Sequence, residues 1–153
     1  MAKRSAGLLL FRRRNHEIQV LLIHPGGPLW VKKDEGAWSI PKGEIEDSED
    51  PLAAARREFN EELGSPVSGD FIELAPIRQA SGKLVHAWAV EGDFDPATLT
   101  SGLFSMEWPP RSGRQQHFPE VDRAEWFTID EAKRKINKAQ VALLDQLSPL
   151  CGG

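Results

Sequence analysis

The order of elements along the chain predicts an α/β fold, an α/β/α sandwich built on a mixed sheet. Three observations carry that expectation. Short apolar runs near the N-terminus have strand character, and an amphipathic stretch over 51–63 has helical spacing. Further strand-like runs then precede a helical C-terminal region. With 153 residues there is room for one core and too little for two ordinary domains, so residues 1–153 are expected to form a single domain.

The elements follow in order. Ala6–Phe11 and Val20–His24 are predicted strands, joined by the basic and polar turn Arg12–Glu17. His24-Pro-Gly-Gly-Pro28 ends the second strand, and Trp38-Ser-Ile-Pro-Lys-Gly43 is an extended piece entering a tight loop. Asp50 is a good N-cap, Pro51 suits the first helical position, and Leu52, Ala55, Phe59 and Leu63 form an apolar stripe. Gly64 and Pro66 stop the helix. Phe71–Ala80 and Leu84–Val90 are expected to form a hairpin around Ser81-Gly82-Lys83. Residues 92–102 are expected to be irregular. Phe104, Met106 and Trp108 alternate with polar residues until Pro109-Pro110. Residues 111–121 are expected to be a polar loop, 123–128 a last strand, and 129–135 and 139–147 helices split near Asn137.

The helix over 51–63 carries Glu58, Glu61 and Glu62, three and four residues apart and therefore neighbours on one face. Like charges at that spacing cost roughly 0.2–0.5 kcal/mol per pair. The last turn disfavours anions by about a further 0.3–1 kcal/mol each. A hard cation such as Mg²⁺ or Mn²⁺ would offset both penalties, because it takes carboxylate oxygens together with waters and phosphates. The alternative is a solvated acidic face.

The spacing of Gly43, Glu49, Arg57, Glu58, Phe59, Glu61, Glu62 and Gly64 resembles the signature of the Nudix hydrolase family. Ser65 departs from it, where an aliphatic residue is usual. The resemblance implies the same α/β/α sandwich and a metal-dependent attack of water on a nucleoside diphosphate linked to another group. It implies Glu58 and Glu62 as metal ligands, Glu61 as ligand or water-positioning group, and the Gly43 carbonyl as a further ligand. Arg57 and Glu49 would bridge loop and helix and hold those ligands in register. Family members differ in whether the base is a motif glutamate or one from a later loop, which here is Glu120, six residues before Trp126. Glu120 is therefore a candidate for metal or base.

Lys42 is a candidate phosphate contact, and Trp30, Trp38 and His86 are candidates for stacking on a base. His117 is a further possible contact, whereas Trp88 and Trp108 sit on strand patterns and are expected in the core. Ala6-Gly-Leu-Leu-Leu-Phe-Arg12, Trp38-Ser-Ile-Pro-Lys-Gly-Glu44 and the Glu120–Trp126 spacing resemble the diadenosine polyphosphate hydrolase branch. The expected function is a Mg²⁺- or Mn²⁺-dependent pyrophosphohydrolase of nucleoside polyphosphates. The alternatives are a nucleotide-sugar or RNA 5′-end pyrophosphohydrolase, or a nucleotide-binding sensor.

A net charge of −4 argues against broad nucleic-acid binding, apart from an RNA 5′ end as substrate. The N-terminal apolar run is too short for a signal-peptide core or a membrane span. The lone Cys151 excludes an intramolecular disulfide, and a reducing cytoplasm is the expected compartment. Oligomeric state has no signal in the sequence.

Overall fold

The computed structural model describes residues 4–150, with side chains through Leu147; Cys151 lies outside the described residues. Strands β1 (Arg4–Arg14) and β2 (Glu17–Pro25) form an antiparallel hairpin. Its turn is narrower than expected: Asn15 and His16 both have positive φ, 53° and 67°, and the strands run up to them. The basic run thus belongs to β1, where Arg12 and Arg14 pair with Asp93 at 2.9 and 3.0 Å.

β3 (Lys42–Glu44) pairs antiparallel with the start of β1. Gly7 makes this possible, since a Cβ there would meet the Pro41 carbonyl oxygen at 2.6 Å. α1 (Pro51–Leu63) follows. The Asp50 carboxylate accepts from the Ala53 N–H at 3.0 Å, and Gly64 closes the helix with φ of 78°.

The segment expected as one long strand over 71–80 is broken into β4 (Ile72–Glu73) and β5 (Ile77–Arg78), both paired antiparallel with β6 (Leu84–Glu91). Pro76 lies in the gap, where the Gln146 side chain donates to the Ala75 carbonyl and accepts from its N–H, at 3.0 and 2.7 Å, as a strand would. β6 runs parallel to β1 along Arg4–Phe11. A two-stranded arm follows, β7 (Leu103–Glu107) with β8 (Gln115–Pro119). β8 corrects the polar-loop expectation for 111–121: its Gln115-Gln116-His117 run carries no apolar alternation because most of the strand is exposed. β9 (Val121–Thr128), paired with β2, completes the main sheet, and α2 (Ile129–Lys135) and α3 (Val141–Leu150) end the chain.

The main sheet order is β4-β6-β1-β2-β9, with β3 on β1 and β5 on β6. One core fills the space under α1 with Leu8, Leu10, Leu21, Phe59, Leu63 and Trp88. The other packs Leu9, Leu22, Trp38, Ile40 and Phe127 against Ile136, Leu143 and Leu144. This is the expected α/β/α sandwich. Among the described residues no helix is long and apolar enough to cross a membrane.

Candidate active site

The carboxylates of α1 divide between two directions. Glu58 and Glu62 turn toward the sheet, whereas Glu61 keeps about half of its side chain in solvent (53%). The expected single face of three is therefore two inward groups and one outward group. Glu58 fills the space over Gly43 on β3, where a Cβ would lie 2.1 Å from its carboxyl carbon. Any side chain at position 43 would expel that carboxylate.

Arg57 organises the cluster. Its Nε and Nη2 donate to both oxygens of Glu49 at 2.8 and 3.0 Å, and Nη2 also reaches the Glu44 carbonyl at 3.1 Å. Its Nη1 donates to Glu58 at 2.9 Å and to Glu61 at 3.3 Å. Glu49 accepts a further bond from the Glu46 N–H at 3.1 Å. The guanidinium and this N–H hold the Glu49 carboxyl down to about 2, and the carboxylates in turn raise the Arg57 pKa.

Glu62 stands in the opposite condition. Burial pushes its carboxyl up to about 9, the nearby Glu58 and Glu120 charges add to the rise, and only Lys42 opposes it. Its Oε2 is buried with no hydrogen-bond partner. Burial also raises Glu58, against the pull of Arg57. Lys42 is half-buried beside Glu58 and Glu62, and desolvation together with the Lys83 charge lowers its pKa.

Glu120 joins this cluster from the far end of the chain, since its charge acts on both Glu58 and Glu62. It sits between β8 and β9, fixed by its N–H to the Gly102 carbonyl at 2.9 Å and by its carbonyl to the Gly26 N–H at 3.0 Å. His86 lies on β6 in one cross-strand row with Ala6 and Gly43, on the α1 face, and its Nε2 is buried without a partner.

Trp38 is a correction. It is 1% exposed, lies in the core on the α2–α3 side, donates to Asp34 at 2.8 Å and meets Phe127 edge-on, so it has no face to offer a base. An isolated Trp beside a Pro-Lys-Gly loop gives no sequence signal for which face of the sheet it takes. Trp30 is the exposed one, at 38%, with the Lys33 ammonium 5.0 Å from its ring centroid. Trp88 is buried as expected, whereas Trp108 is only half-buried, at the end of the arm. His117 is exposed on β8. Two clefts of about 480 and 490 Å³ open elsewhere, beside Thr128–Glu131 and beside Asn137–Ala139, and neither is lined by these carboxylates.

Among the described residues, no three His, Cys, Asp or Glu side chains converge into a ready-made cation cage. The chemistry nevertheless fits a hard divalent ion. The donors are all oxygens, one carboxylate oxygen is buried and unpaired, and Gly43 leaves room for Glu58 beside the backbone.

Known proteins share this arrangement of elements. A structure of a C. elegans Ap4A hydrolase binary complex superposes with a TM-score of 0.69 at 21% identity, over 97% of this chain and 98% of that one, which shows the common fold. Nudix hydrolase 25 of Arabidopsis thaliana is 34% identical over 110 residues, 68% of this chain and 50% of the relative. The asymmetrical bis(5′-nucleosyl)-tetraphosphatase of Sus scrofa is 32% identical over 108 residues, covering 62% and 69%. The chain thus spans about half the length of the Arabidopsis relative. The family model described as the NUDIX domain matches residues 1–147, and the chain belongs to that family.

Proposed function

We propose that the chain is a divalent-metal-dependent pyrophosphohydrolase that cleaves a phosphoanhydride bond in a nucleoside polyphosphate, with dinucleoside polyphosphates favoured. The observation that carries this is Glu62, a buried carboxylate with an unpaired oxygen beside a second inward carboxylate. A fold that only needed a helix here would place an apolar residue at that position. The pig relative, whose name states hydrolysis of a bis-nucleosyl tetraphosphate, supports the substrate class.

Mg²⁺ or Mn²⁺ bound at Glu58 and Glu62, with Glu61, Glu120 and the Gly43 carbonyl as further oxygens, would neutralise phosphate charge and lower the pKa of the attacking water. The chain's own residues do the rest. Arg57, gripped by Glu49, holds Glu58 in place and ties the loop to the helix. Glu120 takes the proton of the attacking water, with Glu61 as the alternative base. Lys42 pairs with a phosphate oxygen, its charge supported by Glu58 and Glu62. His86 and Trp30 remain candidates for contact with the nucleoside. The working compartment is the cytoplasm.

A second substrate has some support, because the RNA pyrophosphohydrolase of Bartonella henselae is 38% identical over 69 residues. A panel of a dinucleoside tetraphosphate, a nucleotide sugar and a 5′-triphosphorylated RNA, each with Mg²⁺ or Mn²⁺ in ¹⁸O-labelled water, tests the proposal. Metal-dependent cleavage with label in one product is expected, fastest on the dinucleotide. Tight nucleotide binding without cleavage of any member would favour the sensor.

A further inference from the structure

We propose that His24 is a positioning residue that sets Glu120 through an extra residue in β9. The inference rests on the metal-site reading of the carboxylates given above. Between His24 and Pro25 the partner on β9 jumps from Arg123 to Val121, so Asp122 is left over as a β-bulge. The bulge reverses the alternation of side chains. Ala124 and Trp126 face α1, and regular alternation would carry Asp122 to that face and turn Val121 away. Instead Val121 packs with Ala124 in the core under α1. Glu120 is the next residue, so the bulge decides how the chain enters the carboxylate cluster.

His24 holds the bulge. The ring is fully buried, with Nδ1 2.8 Å from Asp122 Oδ1 and Nε2 2.6 Å from the Lys33 carbonyl oxygen. That carbonyl can only accept, so Nε2 carries a hydrogen and donates it. Trp38 closes the site edge-on at 5.1 Å, and Arg123 lies over Trp38 with its Nε 3.8 Å from Asp122. One imidazole thus ties both segments that flank Glu120: the bulge directly, and the loop whose Gly26 N–H binds the Glu120 carbonyl. Packing alone would be better served here by an apolar side chain. Trp38, placed by the sequence at the substrate, walls this clamp instead.

A double-mutant cycle on Mn²⁺ affinity, followed by electron paramagnetic resonance, tests the proposal. Asp122→Ala is the probe because Asp122 is partly exposed (27%), whereas truncating buried His24 risks the fold. Asp122→Ala is expected to weaken Mn²⁺ binding about tenfold. Asp122→Asn, whose side-chain amide can donate to or accept from Nδ1, is expected to stay near wild type. In a Glu120→Gln background Asp122→Ala is expected to add nothing. An unchanged affinity in Asp122→Ala, or the same weakening in both backgrounds, would overturn the proposal. The cycle reads binding, so it decides the matter even for a chain that hydrolyses nothing. A wild type that binds no Mn²⁺ would overturn the metal site and this role together.

Discussion

Glu49, on the loop ahead of α1, receives two bonds from Arg57 and one from a backbone N–H, while Glu62, near the end of the same helix, keeps a buried oxygen with no partner. The same residue type therefore meets opposite conditions within one motif. At the loop the charge is satisfied inside the protein, and the carboxyl is held down to about 2. Under the helix only Lys42 opposes the burial, one oxygen stays unpaired, and the carboxyl is pushed up to about 9. The difference separates scaffold from site: a neutralised carboxylate holds geometry, and a buried one with too little compensation marks where a cation or proton belongs.

The largest expected effect breaks the site half. Glu62→Gln should lower turnover by a hundredfold or more on the order-of-magnitude scale of metal-ligand loss, without lowering the metal-free thermal midpoint. Near wild-type turnover would remove Glu62 from the site. Breaking the scaffold half should look different. Arg57→Ala should cost about 1–2 kcal/mol in denaturant unfolding, since its charge-assisted bonds are partly screened at 27% exposure. It should also lower activity, because Glu58 loses its anchor. A loss of activity with unchanged stability would make Arg57 a substrate contact instead.

The pH dependence of metal-free stability sharpens the contrast, because the two groups have opposite signs. Glu62 is raised from 4.5 to about 9 in the folded state, so the stability its protonation contributes is full below about pH 4.5 and is lost as pH climbs toward 9. Glu49 is lowered from 4.5 to about 2, so its contribution is full above 4.5 and is lost as pH falls through 2. Chemical unfolding across pH should show both arms, with Glu62→Gln abolishing only the alkaline one. The smallest effect on activity is Trp38→Phe: no change in KM, with a stability loss of about 1–3 kcal/mol from the missing bond to Asp34 and the space left by the smaller ring. A raised KM would return Trp38 to the substrate side.

Much of the scaffold half was legible in the sequence because its signals are local. Asp50, Pro51 and Gly64 cap the helix where expected, whereas the bridge between Arg57 and Glu49 came from the family resemblance and is present. Glu120 was legible only through a family resemblance, since nothing local to it reports that its charge acts on Glu58 and Glu62. The bulge at Asp122 has no local signal either: it exists only in the register of two strands about a hundred residues apart. β8 was hidden because a strand exposed along most of its length has no apolar period to detect. The outward turn of Glu61 depends on Arg57 capturing it, a tertiary choice that helical spacing alone leaves open.

The metal role of Glu62 is read most sharply by counting the protons released when metal binds. A carboxyl pushed up to about 9 is protonated near neutral pH and must lose its proton to become a ligand. Calorimetric titration of Mg²⁺ or Mn²⁺ at neutral pH, in buffers of differing ionisation enthalpy, is expected to show release of about one proton per ion bound in the wild type and none in Glu62→Gln. Tight metal binding with no proton released, and the same affinity in Glu62→Gln, would remove Glu62 from the metal site.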